Sequence, residues 1–244
     1  MVEIFSPSYG RPSECITHKY LKELTYVVSS KEEEAYKKVH DKIVVVPDGV
    51  QGSYARVCNW ILDNNRDKKI VIMDDDISAV KYFEGKEDFK MDEEHVYEMF
   101  NNNARMTEEL GAKYWGVNIL PDKQAYREYS PLSTVSYCGG PIQGFVYNDL
   151  LFDEEMLLKE DYDMTLQQLN KYRKVLRFNK YHYVAKQSVN KGGCANYRTF
   201  EEEKKRTDLL QKKWGGKIVK YDKASKKEKN FDYNPIINAP IKGI

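Results

Sequence analysis

No apolar run in this 244-residue sequence approaches the roughly 20 residues a membrane helix needs. Residues 1–12, MVEIFSPSYGRP, also lack the basic and then apolar order of a secretory signal. A membrane or secreted protein is therefore not expected. Cysteine is sparse and scattered: Cys15, Cys58, Cys138 and Cys194 form no C-x-x-C pair. That spacing suggests neither a zinc knuckle nor a disulfide framework, and reduced thiols in a cytosol are the expectation. Internal repeats and low-complexity segments are absent as well. What remains, 41% hydrophobic and 32% charged residues, reads as an ordinary soluble globular protein.

The net charge of +1 conceals a division along the chain. Residues 171–230 carry 19 Lys and Arg against 6 Asp and Glu, whereas residues 1–170 carry 19 against 31. Tyr172, Phe178, Tyr181, Tyr183, Tyr197, Trp214 and Tyr221 are interleaved with the basic residues. Such a mixture suits a polyanion whose bases can stack, and it equally suits a solvated basic face.

Short β-branched runs predict strands at 2–6, 25–29, 43–46, 70–73, 114–118, 142–147 and 182–186. Apolar residues three and four apart predict helices near 31–39, 53–63, 92–110, 160–172 and 199–213. The first four strands alternate with helices, the pattern of a parallel sheet covered on both faces. Ligands of such sheets bind beyond the carboxyl ends of the strands. The lysine-rich stretch 217–230 and the residues after it read as an extended, loosely packed terminus.

The fourth strand runs directly into Asp74-Asp75-Asp76. Three adjacent carboxylates repel one another unless a cation sits among them, and a hard ion such as Mg²⁺ or Mn²⁺ suits oxygen ligands. Alternation along an extended chain lets Asp74 and Asp76 reach one ion while Asp75 points the other way. A solvated acidic turn is the competing reading. The first strand ends in Ser6-Pro7-Ser8-Tyr9-Gly10-Arg11-Pro12, where Tyr9 could stack on a base and Arg11 could pair with a phosphate. After the third strand, Gly49 and Gly52 precede a helix carrying Arg56 and Asn59 one turn apart, which reads either as a ligand loop or as a glycine turn capped by Ser53. A Gly-Gly bend at 139–140 comes before Glu160-Asp161-Tyr162-Asp163 at a helix start. Acids there suit the helix dipole, and one could also serve as a general base.

In this order the pieces resemble a GT-A glycosyltransferase. The stretch EDYDMTL is similar to the E-D-x-D-L stretch of inverting family-two enzymes, whose second acid is the catalytic base. The segments FSPSYGRP, VVVPDGVQGSYARVCNWIL, IVIMDDD and KQSVNKGGC more closely resemble the TET-associated glycosyltransferases, a phage-encoded family that adds sugars to hydroxymethylated pyrimidines in DNA. The resemblance spans about residues 2–220. It implies a GT-A-like (Rossmann-like) α/β fold whose mixed, mostly parallel sheet is flanked by helices. One domain would cover 1–220, with a nucleotide-sugar half over about 1–120, an acceptor half over about 121–220 and a basic tail at 221–244.

Carried onto this sequence, the resemblance implies Asp161 as base, and Asp74 and Asp76 as ligands of Mn²⁺ or Mg²⁺, with His182 a further candidate ligand. It implies donor contacts from Ser6, Tyr9, Arg11, Gly52, Arg56, Asp75, Lys191, Gly192 and Gly193, and acceptor contacts from Gly140, Gln143, Tyr183 and Trp214. The expected substrates are a nucleoside diphosphate-sugar, UDP-linked, and DNA containing 5-hydroxymethylpyrimidine, in the cytoplasm of a phage-infected bacterium. Two rivals stand beside this reading: a GT-A enzyme with a protein or glycan acceptor, and a DNA-binding module without catalysis. The sugar, the identity of the pyrimidine and the oligomeric state are not legible.

Overall fold

The computed structural model describes residues 1–119, 126–185, 198–222 and 234–241. Ten strands form one sheet: β1 (Glu3–Pro7), β2 (Thr25–Ser29), β3 (Ile43–Val46), β4 (Lys69–Met73), β5 (Ile77–Glu84), β6 (Glu87–Lys90), β7 (Tyr114–Asn118), β8 (Leu132–Ser133), β9 (Ile142–Val146) and β10 (Leu176–Ala185). Their order is β3-β2-β1-β4-β9-β7-β10-β5-β6, with β8 on β10. Strands β9, β5 and β8 run against the rest, so the sheet is mixed and mostly parallel, as expected. The sequence halves 1–120 and 121–220 share this sheet, because β9 lies between β4 and β7, and β10 between β7 and β5.

Both faces are covered because both sets of alternating side chains are apolar. On one face Ile4, Tyr26, Val71, Met73, Trp115 and Phe178 pack under α3 (Glu93–Glu109) through Val96, Met99 and Phe100. On the other, Val27, Ile70, Ile72, Tyr114 and Phe145 pack under α2 (Tyr54–Asp63) and α4 (Glu160–Tyr172). Helix starts follow their capping residues: the side chain of Ser53 accepts from Arg56 N and that of Asp92 from His95 N. The helix expected near 31–39 is a single turn at Ser30–Glu32 followed by the short α1 (Glu33–Lys37).

Three features depart from the sequence reading. The hairpin β5–β6 is not among the strands expected above, although a two-residue Gly85-Lys86 turn joins its strands and Gly85 has φ +58°. Strand β10 begins at Leu176, six residues before the expected 182. The C-terminal stretch is not loosely packed throughout: β11 (Val219–Tyr221) pairs with β12 (Pro235–Ile237), and Ala239 and Ile241 reach the core beneath α2 and α4. Helix α5 (Phe200–Trp214) packs on α4 through Leu210, which meets Tyr162 and Leu166. No helix among the described residues is long and apolar enough to cross a membrane.

Candidate active site

The chain passes from β1 through β2 to β3 on one side and returns to place β4 on the other side of β1. The crevice beyond the carboxyl ends of β1 and β4 is therefore the point where the strand order reverses. From β1 it receives Ser8, Tyr9 and Arg11, and from β4 it receives Asp74, Asp75 and Asp76. Strand β9 brings the bend Gly139-Gly140-Pro141 alongside, since Asp74 N donates to Pro141 O at 2.9 Å. The first turn of α4 closes the group, with Gly140 N donating to Oδ2 of Asp161 at 3.1 Å.

The three acids follow the end of β4, with Asp75 and Asp76 in a turn. Asp75, only 1% exposed, turns inward. It accepts from Ser8 Oγ at 2.5 Å and from Arg11 Nε and Nη2 at 2.9 and 2.7 Å. Asp74 and Asp76 have no such side-chain donors among the described residues. Burial, then Asp76 and then Asp75, push the Asp74 carboxyl up to about 7, and Asp161 adds to that shift. Burial and Asp75 raise Asp76 as well. Oδ1 of Asp76 is buried without a hydrogen-bond partner among the described residues. Buried, mutually repelling oxygens with an orphaned lone pair are what a hard divalent cation would satisfy, so the donor set fits one. Among the described residues no group of three or more His, Cys, Asp or Glu forms a ready-made metal cluster. Two carboxylates would have to be completed by water and by phosphate oxygens, as is usual for Mg²⁺.

Asp161 is held at three points. Its Oδ2 accepts from the Tyr137 hydroxyl and from Gly140 N, and its Oδ1 accepts from Tyr162 N at 2.8 Å. Next to it, burial and the Asp161 charge push Glu160 up to about 8. Tyr54, at the start of α2, lies within the fields of both Asp74 and Glu160.

Several expected ligand residues are occupied differently. Arg11 spends its guanidinium fork on Asp75 rather than presenting it to a phosphate, and Asp75 is correspondingly withdrawn from the crevice. Ser6 is wholly buried within β1. Tyr9 stands 53% exposed at the turn. Gly52 has φ +125° just ahead of α2, and Arg56 pairs with Glu154 at 2.8 Å on a half-exposed surface. His182 does not join Asp74 and Asp76: it lies opposite Lys81, five residues along β5 from Asp76, and its ring stacks on Phe83 at 4.6 Å. Lys191, Gly192 and Gly193 lie outside the described residues.

On the acceptor side, Gly140 and Tyr183 come together, the Tyr183 hydroxyl standing 3.1 Å from where a Cβ on Gly140 would be. Gln143 is buried and engaged at both ends, accepting from Tyr114 OH at 2.6 Å and donating to Gly140 O at 3.2 Å. The Trp214 indole N–H donates to Oδ1 of buried Asp163 at 2.7 Å, so this pair fastens α5 to α4. Sequence reasoning missed Tyr54 and Tyr137. Tyr54 could have been found from its place directly after the Ser53 cap, whereas nothing local marks Tyr137.

Strand-end carboxylates at the switch point of a mixed, mostly parallel sheet with helices over both faces give a GT-A-like α/β fold with its polar groups where such sheets bind ligands. The chain belongs to the TET-associated glycosyltransferase family, whose model matches residues 2–193. No curated protein matches it. Among solved structures it is similar to a 1–349 segment of S. aureus TarS, with TM-score 0.45 and 13% identity over 74% of this chain and 58% of that one. It is also similar to glucosyl-3-phosphoglycerate synthase from Mycobacterium tuberculosis in complex with Mg²⁺ and uridine diphosphate, with TM-score 0.47 and 8% identity over 97% and 86% of the two chains. A third similar structure is CMP:2-keto-3-deoxy-manno-octonic acid synthetase complexed with CTP, with TM-score 0.43 and 11% identity over 86% and 99%. The chain thus spans less than two thirds of the TarS segment.

Proposed function

We propose that this glycosyltransferase moves a sugar from a nucleoside diphosphate-sugar to the hydroxymethyl group of a 5-hydroxymethylpyrimidine in DNA, with inversion. The observation that supports the reading is the approach of Asp74 and Asp161 across the Gly140-Pro141 bend, where Asp74 N donates to Pro141 O and Gly140 N donates to Oδ2 of Asp161. Asp161 takes the proton of the acceptor hydroxyl as that oxygen bonds to the anomeric carbon. The bond from that carbon to the diphosphate oxygen breaks, and the nucleoside diphosphate leaves with the electron pair. A hydroxyl is a poor nucleophile at neutral pH, so a positioned base contributes roughly 10²–10⁴-fold. A divalent cation on Asp74 and Asp76 would supply neutralisation of the diphosphate's developing charge. Tyr9 is exposed where it can stack on a nucleobase. Tyr183 and Gly140 border the side from which the acceptor enters. A DNA acceptor puts the reaction in the cytoplasm of a phage-infected bacterium.

One observation favours the second reading, a protein or glycan acceptor. Much of the described basic stretch is matched locally: Lys171 with Asp149, Arg206 with Glu202, and Lys213 with Asp153 and Asp163. The bipolar sequence is thereby folded into mixed-charge contacts. Both readings are tested by incubating the protein with a panel of UDP-sugars and Mn²⁺ against hydroxymethylated and plain duplex DNA, with nucleosides analysed by mass spectrometry. A hexosyl or pentosyl mass increment confined to hydroxymethylated DNA is expected, abolished by EDTA and by Asp76→Ala. Transfer in EDTA would remove the metal, and donor turnover without any DNA product would favour the other acceptor class.

A further inference from the structure

The segment between β8 and β9, TVSYCGGP, does more than connect strands. Its Tyr137 hydroxyl donates to Oδ2 of Asp161 while its ring stacks on Tyr162, with centroids 4.0 Å apart and planes 15° from parallel. Burial and the Asp161 charge push the Tyr137 phenol well above its ordinary range, so the group remains a proton donor at any working pH. Gly139, between Tyr137 and Gly140, has no room for a side chain: a Cβ there would stand 2.3 Å from the Tyr137 oxygen and 2.7 Å from Oδ2 of Asp161. The segment is also stitched to α4 from beneath, because the Thr165 hydroxyl reaches Cys138 O at 2.5 Å and Asp161 O at 2.9 Å.

We infer that Tyr137 is a positioning residue for Asp161, and that it selects Oδ1 as the atom that receives the acceptor's proton. A carboxylate oxygen offers two lone pairs. On Oδ2 both are engaged, by Tyr137 and Gly140, whereas Oδ1 has one engaged, by Tyr162 N, and no second partner among the described residues. The aromatic stack fixes the direction of the phenol, and the missing side chain at Gly139 lets it close on the carboxylate. Transfer rates are sensitive to such placement, a displacement of about 1 Å being able to cost about 100-fold. The inference rests on Asp161 as the base.

Its test uses the full-length protein, UDP-sugar, Mn²⁺ and the acceptor found to react. Tyr137→Phe keeps the ring stack and loses only the hydroxyl. Its kcat should fall about 10–100-fold with donor KM and thermal midpoint unchanged, a split that a structural role alone would not produce. Gly139→Ala puts a Cβ against both the phenol and Oδ2 of Asp161, so it should lower kcat at least as much as Tyr137→Phe. Wild-type kcat in Tyr137→Phe, or a fall in kcat matched by a lowered thermal midpoint, overturns the inference and leaves the base assignment standing. Full activity of Asp161→Asn overturns the base assignment itself, whatever Tyr137→Phe does. If Gly139→Ala does not fold, the kcat and KM values of Tyr137→Phe still decide the matter.

Discussion

Arg11 grips Asp75 through two parallel hydrogen bonds, Nε to Oδ2 and Nη2 to Oδ1, across 64 residues of chain. Neither residue then faces the crevice with its charge free. The pair instead fixes the middle of the three acids, which follow the end of β4 at Met73. Ser8 adds a third donor to the same carboxylate, so the polar turn after β1 serves the acids after β4.

Arg11→Lys keeps the charge and loses the fork, since an ammonium cannot match both carboxylate oxygens in plane. Residues that orient metal ligands typically contribute about 10–100-fold in metal affinity. The Mn²⁺ concentration for half-maximal activity should therefore rise about 10-fold, read from an activation titration at saturating donor. An unchanged titration would show that Asp75 has no part in orienting its neighbours.

The raised Asp74 and Glu160 carboxyls make stability depend on pH in a defined direction. An unfolded chain releases these protons in the ordinary carboxylate range, whereas the folded chain keeps them up to about 7 and about 8. Over that window the folded state holds more protons, so stability falls as pH rises from about 4 to about 8. A divalent cation competes with the Asp74 proton and binds better as pH rises. Thermal melts should show Mn²⁺ raising the midpoint more at about pH 8 than at about pH 6; an equal gain at both would contradict the site.

Lys159 and Glu203 form a buried ion pair that ties the residue before α4 to α5, with Arg198 also on Glu203 at 3.1 Å. Removing one partner strands a charge away from water, at a cost of about 3–5 kcal/mol. Glu203→Ala should lower the melting midpoint sharply, and Lys159→Met on top of it should recover part of the loss. A double variant worse than Glu203→Ala would place the stabilisation elsewhere.

Gly144, in the middle of β9, lies against the buried Trp115 ring, and a Cβ there would stand 1.9 Å from Cε2. The fully buried indole has nowhere to move, so Gly144→Ala should destabilise by about 1–3 kcal/mol or more. Denaturant melts measure this, and a shift below about 0.5 kcal/mol would mean that the core yields more easily than its packing implies.

Lys204 and Lys205 are exposed on α5, Lys205 with Glu202 at 3.8 Å, while Arg206 is held by Glu202 and by Glu155 O. If this face meets duplex DNA, replacing both lysines with Gln should reduce the salt slope of binding by about 0.9 for each phosphate that is no longer neutralised. Donor hydrolysis should be unaffected. An unaltered slope would remove α5 from the acceptor surface.

Strands β2 and β4 are legible in the sequence because a strand buried on both faces is a nearly continuous apolar run, and Asp74 to Asp76 mark where β4 ends. The start of α4 is legible for the opposite reason, acids being favoured at a helix N-terminus. Hairpin β5–β6 could have been read from ISAVKYFE, Gly85-Lys86 and EDFK, but its alternation is interrupted by charge. The partners of Arg11, Asp163 and Asp161 could not be read, because no local pattern tells an arginine whether its carboxylate or a substrate's phosphate will arrive. Trp214 shows the same limit: an aromatic amid lysines suggests base stacking, yet its N–H is committed to a buried acid on another helix.

Strand β9 enters the sheet between β4 and β7 from the far half of the chain, and this bears on how the protein is made. While only the first 120 or so residues have left the ribosome, β4 is sealed by β1 on one side and open on the other. The open side belongs to Ile70, Val71, Ile72 and Met73, all buried in the finished protein. An unpaired apolar edge of this kind is a template for strand addition by another chain. Synthesis therefore passes through an interval of exposure that ends only when Ile142–Val146 arrives, and a fragment ending near residue 120 should collect in aggregates even though it carries the whole Asp74–Asp76 edge.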